Sequence, residues 1–589
     1  MSATDWWMYH RDQQHTGLCQ ESAITSATAP QLKMVVDFPV PGPVLSVPAV
    51  VNGYVYVGVA NSRRLPGSNG GSLLKINCGD GSLAAVFDWA LEESYPPDPV
   101  HGEAQDTHGF TGMGCTPAVS GGYVYFSAFD GRVYCLDADT LALVWKTNLR
   151  RTERDANGNL LHNQPVDNTM TDVSAAPAAP SVGWSSPVVA NGNVYVGFGE
   201  GENPNAFGFV YCLDAASGDV VWLYCMCPYT PDVPNTPNVI PPGTWTGSGD
   251  PPAPFTIAPN LPPVRGASIW SSIAYDAEYD RLYISTGNPN VDTVLPAPKY
   301  ANSIVSLDAT TGAFVASFHP GKETSYRSTD NDVDFGGSPT VYTLDDGTKV
   351  VAAGCKNGSI FVLDADTLEL LTVGDPPKSA WRQMLPYDMT DPKHPKPFPN
   401  VDLHDDPNPD HPSENFSGTY STPAVYPDGG MLFIGVGGNN YHPVGPGIDH
   451  VTTPFLRAMR WDTLDDAWPV DDNNPPRYVN PYNDKTMYHT FGESGLSSPA
   501  VVNDVVFCST TGVDLYALDA RSGKLLWHDK LGRPTGGGGP PPDGTNGVGL
   551  GYGYCMGPAI SGNFVVAGAL VAGGTGGSGG VLRIYSLPS

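Results

Sequence analysis

The chain has 589 residues, enough on length alone for several domains. Gly 68 and Pro 58 together exceed a fifth of it, charged residues are only 15%, and no long amphipathic helical pattern occurs, which excludes a helical bundle and reads as many short strands joined by turns. The formal net charge of -30 repels nucleic acid and anionic membranes and leaves a neutral substrate or a basic protein as the easier partner.

From the N-terminus, Met1 to Asp5 lacks a basic and then apolar signal segment. The expectation is a periplasmic or secreted mature form, or a cytoplasmic protein. No apolar run reaches the length of a membrane helix, so no membrane span is expected. The 10 Cys are scattered singly except for Cys225 and Cys227, with no Cys-x-x-Cys-His haem signature and no zinc spacing. Cys135 and Cys212 fall inside apparent strands and read as small buried hydrophobes.

A short strand opened by a small residue and usually Pro recurs along the chain. It reads Ser46-Val47-Pro48-Ala49-Val50, Cys115-Thr116-Pro117-Ala118-Val119 and Ser185-Ser186-Pro187-Val188-Val189. It continues as Ser271-Ser272-Ile273-Ala274-Tyr275, Gly337-Ser338-Pro339-Thr340-Val341, Ser421-Thr422-Pro423-Ala424-Val425, Ser497-Ser498-Pro499-Ala500-Val501 and Gly557-Pro558-Ala559-Ile560. Pro opens a strand where its missing N–H is not needed. Turns such as Asn52-Gly53 and Asn191-Gly192 follow, then an apolar strand, which is hairpin chemistry.

A second string ends each unit: Val133-Tyr134-Cys135-Leu136-Asp137 through Trp145, Val210 to Asp214 through Trp222, Ile304 to Asp308, Ile360 to Asp364, and Leu515 to Asp519 through Trp527, with degenerate copies ending at Trp89 and Trp468. Asp and Gly make the turn, and the Trp packs between neighbours. The last copy, Val581 to Tyr585, lacks its Trp, and Asp5-Trp6-Trp7-Met8-Tyr9 is expected to supply the missing strand. Eight copies closed by N- and C-terminal strands predict an all-β, eight-bladed β-propeller, with residues 1–589 as one domain.

These strings resemble the pyrroloquinoline quinone (PQQ) repeat, and Trp7-x-Tyr9-His10-x-Asp12-x-x-His15-Thr16-Gly17 resembles the opening of polyvinyl-alcohol-dehydrogenase-like and assembly-factor-like quinoprotein propellers. Four stretches are similar to the alcohol dehydrogenases of that family. Ile269-Trp270 through Gly287-Asn288-Pro289 resembles the segment whose Trp forms the floor under PQQ and whose Asn binds calcium, with the same separation of 18 residues. An indole gives a flat quinone a stacking surface, and an amide oxygen suits a hard cation. In Gly199-Glu200-Gly201-Glu202 the resemblance makes Glu202 the calcium-binding carboxylate, with Glu200 the fallback. Asp308 aligns with the catalytic base, which also ligates the metal, although Asp137, Asp214, Asp364 and Asp519 occupy the same repeat position. Lys356 in Cys355-Lys356-Asn357-Gly358 matches the Lys that contacts the quinone.

Two departures stand out: there is no adjacent Cys-Cys pair, and the second blade offers no counterpart of the Arg that binds the cofactor, so either another basic residue such as Arg265 serves or cofactor affinity is reduced. Asp332, Asp334, Glu414 and Glu493 precede inner strands and face the channel mouth in such a fold, as pocket or as solvated loop acids. The resemblance implies a PQQ- and Ca²⁺-dependent oxidoreductase. It would oxidise a small or polymeric alcohol and pass electrons to an external cytochrome or quinone, since the chain attaches no haem. A PQQ-free protein-binding scaffold, or other chemistry in the same funnel, stays open.

Overall fold

The computed structural model describes residues 2, 4–60, 71–88, 112–129, 131–149, 183–199, 208–226, 239–240, 265–290, 300–320, 334–356, 359–373, 378–383, 387–388, 396–397, 419–436, 451–452, 456–468, 497–510, 514–531, 557–573 and 577–588. Each Pro-initiated string becomes the first strand of an antiparallel blade, with the short strand Leu18–Cys19 added in parallel inside that of Ala500–Val502, and the eight sheets form an eight-bladed propeller. Blade 1 is built from Ala49–Val51, Tyr54–Val59, Ser72–Asn77 and Leu83–Asp88. Blade 4 repeats this with Ala274–Asp276, Arg281–Ser285, Ile304–Asp308 and Phe314–Phe318. The first hairpin turns carry Asn52 and Gly53 at φ 51° and 76°, and Asn191 and Gly192 at φ 50° and 76°, the left-handed pair that a two-residue hairpin needs.

Closure differs from the sequence expectation. The outer strand of blade 8 is Lys33–Val40, paired antiparallel with Gly577–Ser586 from Lys33↔Ser586 to Val40↔Gly580. Asp5 to Tyr9 does not enter that sheet, and Trp6 instead bridges Val50 of blade 1. The reason is pattern: Lys33–Val40 turns Val36, Phe38 and Val40 inward at alternating sites, with Phe38 half-buried, and leaves Asp37 and Pro39 toward solvent, which suits an outer strand, whereas Trp6 and Met8 are fully buried. Blade 8 then meets blade 1 along its inner strand, Ala559–Ser561 against Ala49–Val51.

Two repeated contacts join blade to blade. The first explains the Ser/Thr before each Pro. The backbone N–H of Thr116 donates to Ser186 Oγ (2.9 Å), Ser186 to Ser272 Oγ (3.1 Å), Ser272 to Ser338 Oγ (2.8 Å), Ser338 to Thr422 Oγ1 (3.0 Å) and Thr422 to Ser498 Oγ (2.9 Å). Blades 2 to 7 are thus linked by a buried hydroxyl relay. The relay has no hydroxyl to use at Val47 of blade 1 or Gly557 of blade 8. Ser338→Ala strands the Ser272 N–H, and a urea titration is expected to show about 1–3 kcal/mol of lost stability. Ser82→Ala, in an exposed turn, serves as the matched control.

The second contact explains the blade-ending Trp. Trp145 Nε1 donates to the Ala215 carbonyl of the next blade (3.0 Å), Trp222 to Ala309 (3.1 Å) and Trp468 to Ala520 (2.9 Å). Each indole also lies on the next blade's turn glycine. A Cβ on Gly312, which sits at φ +71°, would fall 2.7 Å from the Trp222 ring, so the position excludes side chains on two grounds.

The first-hairpin turns and the Asp turns of the second string lie at the same ends of the blades, because Arg281 pairs with both Asp276 and Asp308. The loops that precede the inner strands lie at the other end, beyond Ser285↔Ile304. The two faces of the ring therefore carry different chemistry, a turn face and a loop face. Part of the acidity belongs to the turn face: Asp137, Asp214, Asp308, Asp364 and Asp519 each accept the N–H of the residue three positions on. Among the described residues no helix is long and apolar enough to cross a membrane.

Candidate functional site

On the loop face, blades 4, 5 and 6 bring four side chains together: Trp270, Asp334, Lys356 and Tyr420. Trp270 and Tyr420 occupy the same repeat position, two residues before the hydroxyl-bearing Ser272 and Thr422. The blade 5 residue at that position is Gly336. A Cβ there would lie 2.7 Å from the Thr419 carbonyl oxygen and 3.2 Å from Lys356 Cγ, so the glycine lets blade 6 and the lysine stem close in.

Asp334 is the centre of the group. Its side chain is 1% exposed and that of Lys356 12%, and their Nζ···Oδ1 distance is 2.8 Å. Trp270 Nε1 donates to the other carboxylate oxygen, Oδ2, at 2.9 Å. The backbone repeats the link: Lys356 N–H donates to the Asp334 carbonyl at 2.9 Å. Lys356 Nζ stands 4.8 Å from the Trp270 ring centroid and 5.2 Å from that of Tyr420, and the two rings are 6.1 Å apart at 50°. A carboxylate almost without solvent contact is thus held by a cation and an indole N–H, against two aromatic faces.

Asn288 comes to the same region on a separate support. The segment 265–270 runs antiparallel to 287–290, with Arg265 paired to Asn290 and Gly266 to Pro289. Ala267 N–H donates to the Asn288 carbonyl (2.9 Å) and Gly287 N–H to the Ser268 carbonyl (2.8 Å). A Cβ on Gly287 would come within 2.4 Å of Ser268 Oγ and 3.3 Å of Trp270 Cδ1. The fixed spacing between Trp270 and Asn288 is therefore the span of one small hairpin. Arg265 is described by its backbone alone.

The structure does not bring Asp308 to this group. Asp308 ends its strand on the turn face, where Oδ1 accepts from Thr311 N–H at 2.7 Å and Thr311 Oγ1 at 2.6 Å. It accepts the same turn bonds as Asp137, Asp214, Asp364 and Asp519, on the face opposite Trp270 and Lys356. The carboxylate that the structure does bring to Trp270 and Lys356 is Asp334, one of the loop acids preceding an inner strand. The signal was position: Asp334 lies four residues before Ser338, in the loop class that supplies Trp270 and Tyr420.

Glu202, Glu200, Asp332, Glu414 and Glu493 lie outside the described residues. Among the described residues no group of three or more His, Cys, Asp or Glu side chains is placed to hold a metal ion. The fit to an aromatic quinone therefore rests on Trp270, Lys356 and Asp334. These offer a stacking plate, a cation for a quinone oxygen and a carboxylate for a proton, and that donor set suits such a group.

Residues 166–374 match the family described as glucose/ethanol/alcohol dehydrogenase, β-propeller domain, and residues 483–539 match the one described as outer membrane protein assembly factor BamB. The dehydrogenase subunit of alcohol dehydrogenase (quinone) from Gluconacetobacter polyoxogenes is 27% identical over 362 residues, covering 55% of this chain and 42% of the relative. The quinohemoprotein alcohol dehydrogenase of Comamonas testosteroni is 25% identical over 465 residues, 70% of this chain and 55% of the relative. The chain thus spans about half the length of the curated relatives it matches. The solved structure of the Comamonas testosteroni enzyme superposes with a TM-score of 0.60 at 18% identity, covering 100% of this chain and 82% of that one. A europium-containing methanol dehydrogenase superposes at 0.58 and 16%, covering 100% and 99%. With the eight-bladed ring and its repeat strings, these matches make the chain similar to the quinoprotein alcohol dehydrogenases, whose β-propeller domain residues 166–374 match.

Proposed function

We propose that the chain is a PQQ-dependent alcohol dehydrogenase whose proton acceptor is Asp334. The observation that carries this reading is the buried Asp334 carboxylate held between Trp270 Nε1 and Lys356 Nζ. The family match at residues 166–374 supports the cofactor class. Trp270 is the stacking surface for PQQ, and Lys356 is the cation for its quinone oxygens. Asn288 and Glu202 are the oxygen donors for Ca²⁺. Bound PQQ supplies a two-electron acceptor for the hydride of an alcohol, and an external cytochrome or quinone removes those electrons afterwards.

The chain's own part in the reaction is to position the substrate and handle its proton. The two bonds from Trp270 and Lys356 fix both carboxylate oxygens of Asp334, so the group needs no reorientation to accept the hydroxyl proton of an alcohol. Burial restricts water at that carboxylate. Once Asp334 takes the proton, its ion pair with Lys356 weakens. The Lys356 ammonium would then be available to the quinone oxygens of a bound cofactor.

Titration with PQQ in the presence of Ca²⁺ tests the reading. Micromolar PQQ is expected to quench Trp fluorescence and to bind with Kd at least about tenfold weaker in Trp270→Ala, the loss of roughly 1.4 kcal/mol of stacking. An artificial dye acceptor should be reduced by alcohols, and NAD should not. If micromolar PQQ does not bind, the ring is a scaffold and the site carries no dehydrogenase.

A further inference from the structure

The N-terminal motif is not used by the site, and its side chains and backbone have another destination. Residues 4–17 run through the centre of the ring and meet every blade in turn. The Thr4 carbonyl accepts from Gly562 of blade 8 (3.2 Å), and Trp6 exchanges two bonds with Val50 of blade 1 (2.9 and 2.7 Å). The Trp7 carbonyl accepts from Val119 of blade 2 (2.7 Å), and Gln13 Nε2 donates to the Val189 carbonyl of blade 3 (2.6 Å). The carbonyls of Gln13, Gln14, Thr16 and Gly17 then accept from Tyr275, Val341, Val425 and Val501 of blades 4 to 7, at 2.7, 2.9, 2.9 and 2.7 Å. Seven of these partners are the same repeat residue, the one two positions after the Pro or its equivalent. The inner strands thus spend the backbone groups of their inner edges on one peptide, which at blade 7 continues as the short parallel strand Leu18–Cys19 against Ala500–Val502.

The side chains reinforce this. Tyr9 Oη lies 2.8 Å from Thr422 Oγ1 and 3.2 Å from Ser498 Oγ, members of the hydroxyl relay. Gln14 Nε2 donates to Asp276 Oδ2 (2.8 Å), a fully buried carboxylate paired with Lys349 of blade 5 (2.7 Å). His10, Arg11 and His15 take φ of 49°, 82° and 58°. Such conformations persist in non-glycine residues only when the surroundings over-determine them. Gly17 sits at φ +60°, where a Cβ would lie 2.5 Å from the His10 ring.

We infer that the central channel is a peptide-binding groove and that residues 4–19 are its resident ligand, an axle that the ring binds even when the covalent link to it is cut. The chemistry recognised is an extended, winding peptide that presents carbonyls outward to strand N–H groups. The inference is independent of the quinone reading. The test inserts a protease site between Gln20 and Glu21, both exposed, in the full chain, and cuts the folded protein. The 1–20 fragment is expected to co-elute with the ring on gel filtration and the melting temperature to stay unchanged. In Gly17→Val retention should fall at least about tenfold. If the fragment leaves the wild-type ring, a fall in melting temperature that added synthetic 1–20 peptide reverses still supports the inference. Loss of the fragment with unchanged melting, or a fall that added peptide does not reverse, overturns it.

Discussion

In the PQQ-loaded protein, Asp334→Asn is expected to lower turnover of an alcohol by about 10²- to 10⁴-fold, the usual contribution of a positioned general base, with PQQ still bound. The amide keeps the size of the side chain and an acceptor for Trp270 Nε1, but it cannot take a proton and no longer pairs with Lys356 as an ion. The matched control is Asp308→Asn, expected to leave turnover unchanged. That amide still offers an oxygen to Thr311 N–H and Thr311 Oγ1 on the turn face, so stability should change by no more than about 1 kcal/mol. Steady-state rates with a dye acceptor, alongside PQQ absorbance to report occupancy, separate the two. Normal turnover in Asp334→Asn, or its loss in Asp308→Asn, would return the base to the turn face and defeat the assignment.

The contrast between these two aspartates shows what the repeat reveals and what it hides. Asp308 looks attractive by alignment because it follows Asn288 closely in sequence, yet it belongs to a string whose other copies are plainly turn residues. The hydrophobic alternation and the Asp-x-x-x-Gly spacing place it at a strand end, and strand direction then decides the face. Asp334 has no such string around it. Loops before inner strands vary in length and composition, so their acids look like solvated ones until burial and partners are known. Trp270 and Lys356 were legible because large aromatic and cationic groups stand out in otherwise small, apolar stretches. Tyr420 was not, since its role depends on its facing Trp270 across the glycine of the intervening blade, a relation between positions 150 residues apart. The closing strand was missed for a similar reason: both N-terminal candidates contain apolar residues. Only the buried, irregular backbone of residues 5–17 separates an axle from the alternating edge strand Lys33–Val40.

Lowering the pH below about 6.5 is expected to destabilise the ring through the axle histidines, whatever the site binds. Burial holds both His10 and His15 below their ordinary value, His15 to about 3 with a further contribution from the charge of neighbouring His10. The carbonyls of His15 and Pro499, which face the two ring nitrogens of His10 at 2.6 and 2.9 Å, oppose the burial effect there without overcoming it. The folded protein therefore keeps the His15 ring neutral where the unfolded chain would protonate it. Its contribution to stability is complete above the unfolded value of 6.5 and is lost as the pH falls from there toward about 3. One such proton costs about 1.4 kcal/mol per pH unit across that window. Acidic side chains also titrate as the pH falls, so the decisive measurement is a difference. His15→Asn suits the left-handed φ of 58° and can still donate to the Pro339 carbonyl, which His15 Nδ1 reaches at 3.0 Å. It removes the titration and leaves the axle in place. Urea unfolding of the two proteins at pH 7.5, 6, 5 and 4 should give curves that converge on acidification, the wild type losing roughly 1.4 kcal/mol more per unit than the variant. Parallel curves over that range would mean that His15 is not neutral and buried in the folded ring, and that the axle is looser than its hydrogen bonds describe.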